Sequence, residues 1–334
     1  MTYRLSLLDK SPLLPGEPAT AALQRTIVLA QAAERLGYAR FWVAEHHANP
    51  GLAGTAPEIL IAHLSARTQR IRLGSGGVLL PHYSPYKVAE TFNLLAALAP
   101  GRIDLGIGKA PGGLPDATRA LRRRHDPGES VAFDDLLAEL DRYLAPPQDG
   151  NLRDGNLRAL PTPPAAPERF LLGASPDSAR TAATLGWRFV FAGQLNGDPR
   201  ATEASLEAYA QAGAAAPPLL AVMALAAATT EEARALTDPL QVVRVTLPDG
   251  QTVNLGSEAQ AAEFARQAGA ASYRTEARRP HVLSGTAGDV RAELDRLHAR
   301  FGIEEFVIDT PPSATGRRLA SVTLLAGGAP ALAA

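Results

Sequence analysis

The chain has 334 residues, of which 46% are hydrophobic and 20% are charged, and its formal net charge is -1. A large buried core is therefore available, and no excess charge favours binding to nucleic acid or to an anionic membrane. The absence of cysteine excludes disulfides, thiolate catalysis and cysteine-based zinc sites.

The N-terminus carries a short apolar stretch that ends at Asp9 and Lys10. A secretory signal peptide needs a longer apolar region and a small-residue cleavage site. No stretch approaches the roughly 18 uninterrupted apolar residues of a membrane span. We therefore expect a cytoplasmic protein with neither a membrane nor a nucleic-acid partner.

Short apolar strands alternate with Ala- and Leu-rich amphipathic helices along most of the chain. The predicted strands are Tyr3–Leu8, Phe41–Val43, Ile71–Gly76, Ile103–Gly108, Phe170–Leu172, Phe189–Phe191, Leu219–Ala226 and Glu305–Ile308. The predicted helices are Ala21–Leu36, Pro57–Arg67, Pro85–Leu98, Ser130–Leu144, Asp177–Leu185, Asp198–Ala212, Thr230–Leu236, Gly288–Arg300 and a terminal helix, Ser313–Leu325.

This alternation predicts a parallel sheet, and eight strands favour a single (β/α)8 TIM barrel over residues 1–334. A doubly wound sheet is the main alternative. We interpret the Pro- and Gly-rich stretch Pro146–Pro167 as a long loop, although it could be a linker. An irregular insertion, Asp238–Leu283, with one helix near Glu258–Gln267, precedes the last helix-strand unit, and we expect it to shape or cover one end of the barrel.

Polar residues gather where the predicted strands end, which is where barrel enzymes hold their catalytic groups. Glu45, His46 and His47 follow the second strand, and we interpret Glu45 and His46 as an acid/base pair rather than as part of a surface loop. A zinc site would need His82 and Asp309 to converge with these histidines, whose adjacent side chains point apart. We predict no metal.

Glycines and a lysine end the next two strands. Gly76 and Gly77 allow a planar ring to lie against the backbone, but they also suit a simple bend. Lys109 suits a phosphate, or is a solvated side chain in a glycine-rich loop. Ser175 and Ser178 begin a helix whose N-terminus can bind an anion, unless Ser175 only caps it. Together with Lys109 they form a candidate phosphate site.

Three segments together resemble the bacterial luciferase-like flavin monooxygenases: Phe41–His47 (FWVAEHH), Arg72–Pro81 (RLGSGGVLLP) and Pro100–Gly108 (PGRIDLGIG). Their order and spacing match this family up to about Gly113, and Gly173–Gly186 fits again. The resemblance implies a barrel, usually a homodimer, that binds reduced FMN or a deazaflavin at its mouth. Many members of the family receive reduced flavin from a separate reductase.

The resemblance also implies a monooxygenase acting on paired donors with O2. It would oxidise an aldehyde, a sulfonate or a similar small molecule through a flavin C4a-hydroperoxide. His46 would lie near the reactive edge of the ring as acid/base. Gly76 and Gly77 would lie against the ring, where the family often has a non-prolyl cis peptide, and Ser175 and Ser178 would bind the phosphate. Lys109 stands where luciferases have a phosphate-binding arginine, so the charge is kept but the bidentate geometry is lost.

Other functions stay open at this point. A deazaflavin-dependent dehydrogenase on the same fold would need no oxygen. A flavin-binding protein without turnover would need a blocked substrate cavity. A metal hydrolase is a more distant alternative.

Overall fold

The computed structural model describes residues 3–122, 131–145, 157–195 and 197–327 of the chain. The strands are β1 (Arg4–Asp9), β2 (Arg40–Val43), β3 (Arg72–Ser75), β4 (Val78–Leu79), β5 (Ile103–Gly108), β6 (Glu168–Gly173), β7 (Arg188–Ala192), β8 (Leu219–Ala227), β9 (Val242–Thr246), β10 (Thr252–Leu255), β11 (Arg274–Arg278), β12 (Val282–Thr286) and β13 (Glu305–Asp309). The helices are α1 (Ala19–Arg35), α2 (Pro57–Ser65), α3 (Pro85–Leu98), α4 (Pro115–Leu121), α5 (Phe133–Leu144), α6 (Pro176–Thr184), α7 (Pro199–Gln211), α8 (Thr230–Thr237), α9 (Glu258–Gln267), α10 (Ala287–Phe301) and α11 (Arg318–Leu325).

Eight parallel strands close into a barrel in the order β1-β2-β3-β5-β6-β7-β8-β13, and β13 pairs with β1 to complete the ring. The predicted (β/α)8 barrel is therefore confirmed. Helix α3 and strand β5 have the predicted bounds. The helix predicted over Ser130–Leu144 begins at Phe133, and its first predicted residue lies outside the described residues. The predicted loop Pro146–Pro167 is described only from residue 157.

Side chains of the barrel strands alternate between the barrel interior and the surrounding helix layer. In β1, Leu8 packs inside the barrel, whereas Leu5 and Leu7 belong to the larger core between strands and helices. The interior cluster holds Leu8, Trp42, Ala44, Phe170, Val190, Leu219, Ala221 and Val307. The barrel is thus a packed core with an apolar floor beneath its open end, not a channel.

The end of the barrel where the strands begin is closed by buried ion pairs. Arg40, the first residue of β2, contacts Glu305 through Nε at 2.8 Å and Asp104 through Nη1 at 2.9 Å. These three residues are at most 2% exposed. Trp42 Nε1 and the Arg72 guanidinium donate to the same aspartate. Burial alone would lower the pKa of Arg40, but the two carboxylates raise it above its ordinary value.

The insertion is not irregular as predicted. Strands β10, β9 and β11 form an antiparallel sheet that packs against α9 through its own small core, which includes Val243, Val245 and Phe264. The predicted helix Glu258–Gln267 is confirmed with the same bounds. The next strand, β12, returns to the barrel and pairs in parallel with β8. The sequence does contain a hairpin signal, Pro248-Asp249-Gly250 between two alternating Val-containing runs, which the prediction missed.

Within the part of the chain that the structure describes, no helix is both long enough and apolar enough to cross a membrane.

Candidate active site

His46 lies three residues beyond the end of β2, at the open end of the barrel where the strands terminate. Its side chain is half-buried, and its Nδ1 atom is enclosed without a hydrogen-bond partner in the protein. Burial, reinforced by the nearby positive charge of Lys10, lowers the pKa of His46 to about 4. The imidazole is therefore neutral at physiological pH, and one of its ring nitrogens lacks a protein partner.

Glu45 is 3% exposed, and groups from three elements hold it. Oε1 accepts a hydrogen bond from the Tyr83 hydroxyl at 2.6 Å and lies 2.7 Å from His47 Nε2. Oε2 accepts one from the backbone N–H of Leu79 at 3.1 Å. Both oxygens are thus engaged in fixing the loop that carries His46. Sequence reasoning did not single out Tyr83, and its position after a short 3-10 turn gives no local signal for this contact.

The peptide between Gly76 and Gly77 is cis and connects β3 to β4. A Cβ on Gly76 would come within 2.6 Å of the Leu8 side chain, and a Cβ on Gly77 within 2.7 Å of the Gly106 carbonyl. The absence of side chains therefore lets this turn pack against β1 and β5. The predicted contact of both glycines with a flavin ring stays a prediction.

The loop after β5 packs against the loop that carries His46. The backbone N–H of His47 donates to the Gly112 carbonyl at 2.9 Å. A Cβ on Gly113 would lie 2.5 Å from the His47 carbonyl oxygen, so this approach requires glycine. The two loops that carry His46 and Lys109 are therefore held together by backbone contact.

Ser175 is the N-cap of α6, and its Oγ accepts a hydrogen bond from the Ser178 N–H at 3.3 Å. The two serine hydroxyl oxygens are 3.2 Å apart, and both side chains are half-buried. A Cβ on Gly173 would collide with Ser178, so this glycine allows the close pairing. The capping alternative is thus present, and a phosphate at the same place stays a prediction.

Lys109 is exposed, and its ammonium lies 5.7 Å from the centre of the Phe133 ring at the start of α5. The register of β5 with β6 places it at the strand end next to Gly173 and Ser175. In the structure the lysine contacts an aromatic face, and its predicted role in a phosphate clamp is untested.

One ion pair lies inside the open end of the barrel. Lys10 Nζ is 2.5 Å from Asp309 Oδ2, across the neighbouring ends of β1 and β13. Lys10 follows the first predicted strand and Asp309 the last, but their pairing could not be read from residues 299 positions apart. His47 and His82 rings are 5.9 Å apart, and the described residues contain no group of three or more metal-ligating side chains.

Comparison with known proteins decides the family. The sequence profile described as luciferase-like monooxygenase matches residues 3–305. The chain belongs to the luciferase-like monooxygenase family. The resemblance of the three N-terminal segments is therefore confirmed, and membership supports an oxidoreductase of the monooxygenase type.

Individual relatives agree with this family assignment. The N-acetyl-S-alkylcysteine monooxygenase of Bacillus subtilis (strain 168) is 44% identical over 311 residues, 92% of this chain and 92% of that protein. The crystal structure of apo-MsnO8 is 34% identical, covers 97% of this chain and 98% of its own, and has a TM-score of 0.76.

A third relative shares the fold alone. The oxygenating constituent of 3,6-diketocamphane monooxygenase from Pseudomonas putida, solved in complex with FMN, is 19% identical with a TM-score of 0.68, covering 99% of this chain and 98% of its own.

The mouth of this luciferase-like chain fits a flavin-type cofactor on its own geometry. The enclosed, unpartnered Nδ1 of His46 would be satisfied by a polar ring edge. The capped N-terminus of α6, with two hydroxyls, lies at the end of the strand next to β5 and suits an anion. A flavin-type cofactor with an anionic tail would need both features at one barrel mouth.

Proposed function

We propose that this chain is a monooxygenase that uses reduced FMN and O2 to oxidise a small organic substrate in the barrel mouth. The observation that carries the proposal is the neutral, half-buried His46, whose enclosed Nδ1 has no hydrogen-bond partner in the protein, at the mouth of a luciferase-like barrel. When bound, reduced FMN supplies the electrons that activate dioxygen, so that one oxygen atom enters the substrate and the other leaves as water.

His46 and Glu45 have different roles in this proposal. His46 is neutral, and its Nδ1 would form a hydrogen bond with the cofactor or substrate or transfer a proton to or from it. Glu45 has both oxygens occupied by its neighbours, so it positions the His46 loop and fixes the orientation of His47. Glu45 thus supports the catalytic residue without touching the reacting atoms.

The remaining predicted site residues would hold the cofactor. Gly76 and Gly77 would give the ring a flat backbone surface, and Ser175 and Ser178 would bind the phosphate at the start of α6. Lys109 would add a positive charge by leaving the Phe133 ring. An ammonium serves as a point charge for a phosphate even where it cannot form the paired bonds of an arginine.

The substrate class that we propose is an S-alkylated, N-acylated cysteine or a similar thioether. The relative that is 44% identical over 92% of this chain carries that substrate in its name. The interior cluster under the mouth is apolar and suits an alkyl chain. This proposal replaces the aldehyde or sulfonate of the sequence analysis with another small molecule, a thioether.

Two partners belong to the same proposal. A separate flavin reductase would supply reduced FMN. A second copy of the chain would cover the outer faces of α2 and α3, where Ile59, Leu94 and Leu98 are between 51% and 67% exposed. Exposed apolar side chains on neighbouring helices suit a protein interface, and sedimentation of the purified protein tests the dimer.

The test combines binding with turnover. Spectral titration with FMN and with a deazaflavin would identify the cofactor, and FMN is expected to bind. A reductase-coupled assay with N-acetyl-S-methylcysteine in labelled dioxygen is then expected to give a product with one labelled oxygen atom. Turnover with reduced deazaflavin and no oxygen would support the dehydrogenase instead. Binding of FMN without oxygen uptake over a thioether, aldehyde and sulfonate panel would support a non-catalytic flavoprotein.

A further inference from the structure

We propose that Lys10, held by Asp309, recognises the carboxylate of the substrate and so selects anionic molecules for the mouth. This inference rests on the proposed function and identifies a specificity-determining residue within the same site. The two residues follow the first and the last predicted strand, and the oxidation chemistry proposed above makes no use of them.

The position of the pair follows from strand alternation. In β13, Glu305 and Val307 face the barrel interior, because Glu305 contacts Arg40 and Val307 belongs to the interior cluster. Asp309 is the next residue on that face. In β1, Leu8 faces inward for the same reason, and Lys10 follows it two residues later. The pair therefore lies on the inner wall of the mouth.

The two partners differ in accessibility. The Asp309 side chain is 3% exposed, whereas the Lys10 side chain is 23% exposed. An ammonium has three N–H donors, and the contact with Asp309 Oδ2 engages one of them. A molecule that enters the mouth meets the lysine, while the aspartate stays behind it as the group that fixes the position of the ammonium.

The charges near Lys10 do not oppose an anion, because its two acidic neighbours are each paired with a cation. The positive charge of Lys10 reaches the imidazole of His46 and contributes to its lowered pKa, so the lysine acts on the centre of the mouth. Because His46 is neutral, it neither repels nor attracts a carboxylate. Asp9, the acidic neighbour of Lys10, has Oδ1 paired with Arg318 at 2.8 Å.

The charged and apolar groups of the proposed substrate match those of the inner wall of the mouth. An N-acylated S-alkylcysteine has one negative group, the carboxylate, and an alkyl thioether a few bonds away. A carboxylate bound to Lys10 leaves the alkyl group over the apolar floor that contains Leu8 and Val307. The pair thereby orients the thioether relative to His46, and a substrate without the carboxylate loses this orientation.

The experiment compares N-acetyl-S-methylcysteine with its primary carboxamide, which has the same shape and no charge. Their dissociation constants are measured by calorimetry on the protein saturated with oxidised FMN, and again without FMN, so that the result does not depend on turnover. The native chain is expected to bind the acid roughly tenfold to hundredfold more tightly, the range of a charge-assisted hydrogen bond.

The variant Lys10→Met is expected to abolish this preference by weakening binding of the acid alone, and Lys10→Arg is expected to retain it. Because Lys10→Met leaves Asp309 buried and unpaired, the double variant Lys10→Met/Asp309→Asn removes both charges together and serves if the single variant folds poorly. The control is Arg296→Met, which also removes a cation paired with a glutamate, on the outer helix α10.

Equal affinity of the native chain for acid and amide, or a preference that survives in the double variant, would overturn the inference. Both results concern binding, so they are distinct from failure of the proposed function, which would show as the absence of oxygen-dependent turnover. A preference lost in the double variant and kept in Arg296→Met supports the inference.

Discussion

The two ends of the barrel are built from the same strands, but their polar side chains differ. At one end they are paired and buried, and at the other some are unpaired or partly accessible. Where the strands begin, Arg40 lies between Asp104 and Glu305, and the opposite charges compensate each other at full burial. Where the strands end, His46 is neutral, one of its ring nitrogens has no partner, and Lys10 keeps part of its surface accessible. The comparison shows that one end is organised for stability and the other for binding.

The largest effect on stability is expected from removing the buried ion pairs at the closed end of the barrel. Arg40→Met removes the cation between two buried carboxylates and is expected to lower the free energy of unfolding by about 3–5 kcal/mol. Urea denaturation measures this loss. The control Arg296→Met removes an exposed pair and is expected to change stability by less than about 0.5 kcal/mol. Equal effects of the two variants would remove the distinction between the buried and the exposed pairs.

At the mouth, a substitution is expected to lower turnover while leaving stability nearly unchanged. His46→Asn is expected to lower turnover roughly 10²–10⁴-fold, the usual contribution of an acid/base group. FMN affinity and the midpoint of urea denaturation are expected to stay close to those of the native chain, because Nδ1 leaves no protein partner behind. Unchanged turnover with reduced FMN would remove His46 from the mechanism.

His46 also makes stability depend on pH. Its folded-state pKa of about 4 lies below the value of about 6.5 expected in the unfolded chain. The unfolded chain therefore binds a proton that the folded chain excludes, and stability falls as the pH drops through this window. The unfolding free energy of the native chain, relative to His46→Asn, is expected to decrease by about 2–3 kcal/mol between about pH 7 and about pH 4. A difference that stays constant with pH would contradict the burial of His46.

The smallest effect is expected at Ser175, where a substitution tests whether the hydroxyl only caps α6 or also binds the phosphate. Ser175→Ala is expected to cost about 1 kcal/mol of stability through the lost cap and to weaken FMN binding as well. Ser257→Ala removes the same kind of cap, a hydroxyl that accepts from a backbone N–H, at the start of α9. This control is expected to leave FMN affinity unchanged, and equal FMN affinity in both variants would confine Ser175 to capping.

The parallel barrel could be predicted from the sequence because buried strands read as apolar runs and the helices as amphipathic repeats. His46 and Ser175 could be selected because strand ends have a known function in this architecture. The contacts could not be predicted. Arg40 lies 265 residues from Glu305 along the chain, and Tyr83 reaches Glu45 only once the barrel has closed. The small sheet was missed because β9 is only five residues long and only half-buried, a pattern that is ambiguous without its turn.

The separate core of that small sheet has a consequence for cooperativity. Val243, Val245 and Phe264 pack with one another and do not join the barrel core, while the helix tip at Gln267 bonds to Asp116 and Arg119 on α4. Residues 242–278 can therefore open as a local unfolding unit while the barrel stays intact. Their amide hydrogens would exchange with solvent through this local opening, whereas those of β1 and β13 would exchange only when the whole molecule unfolds.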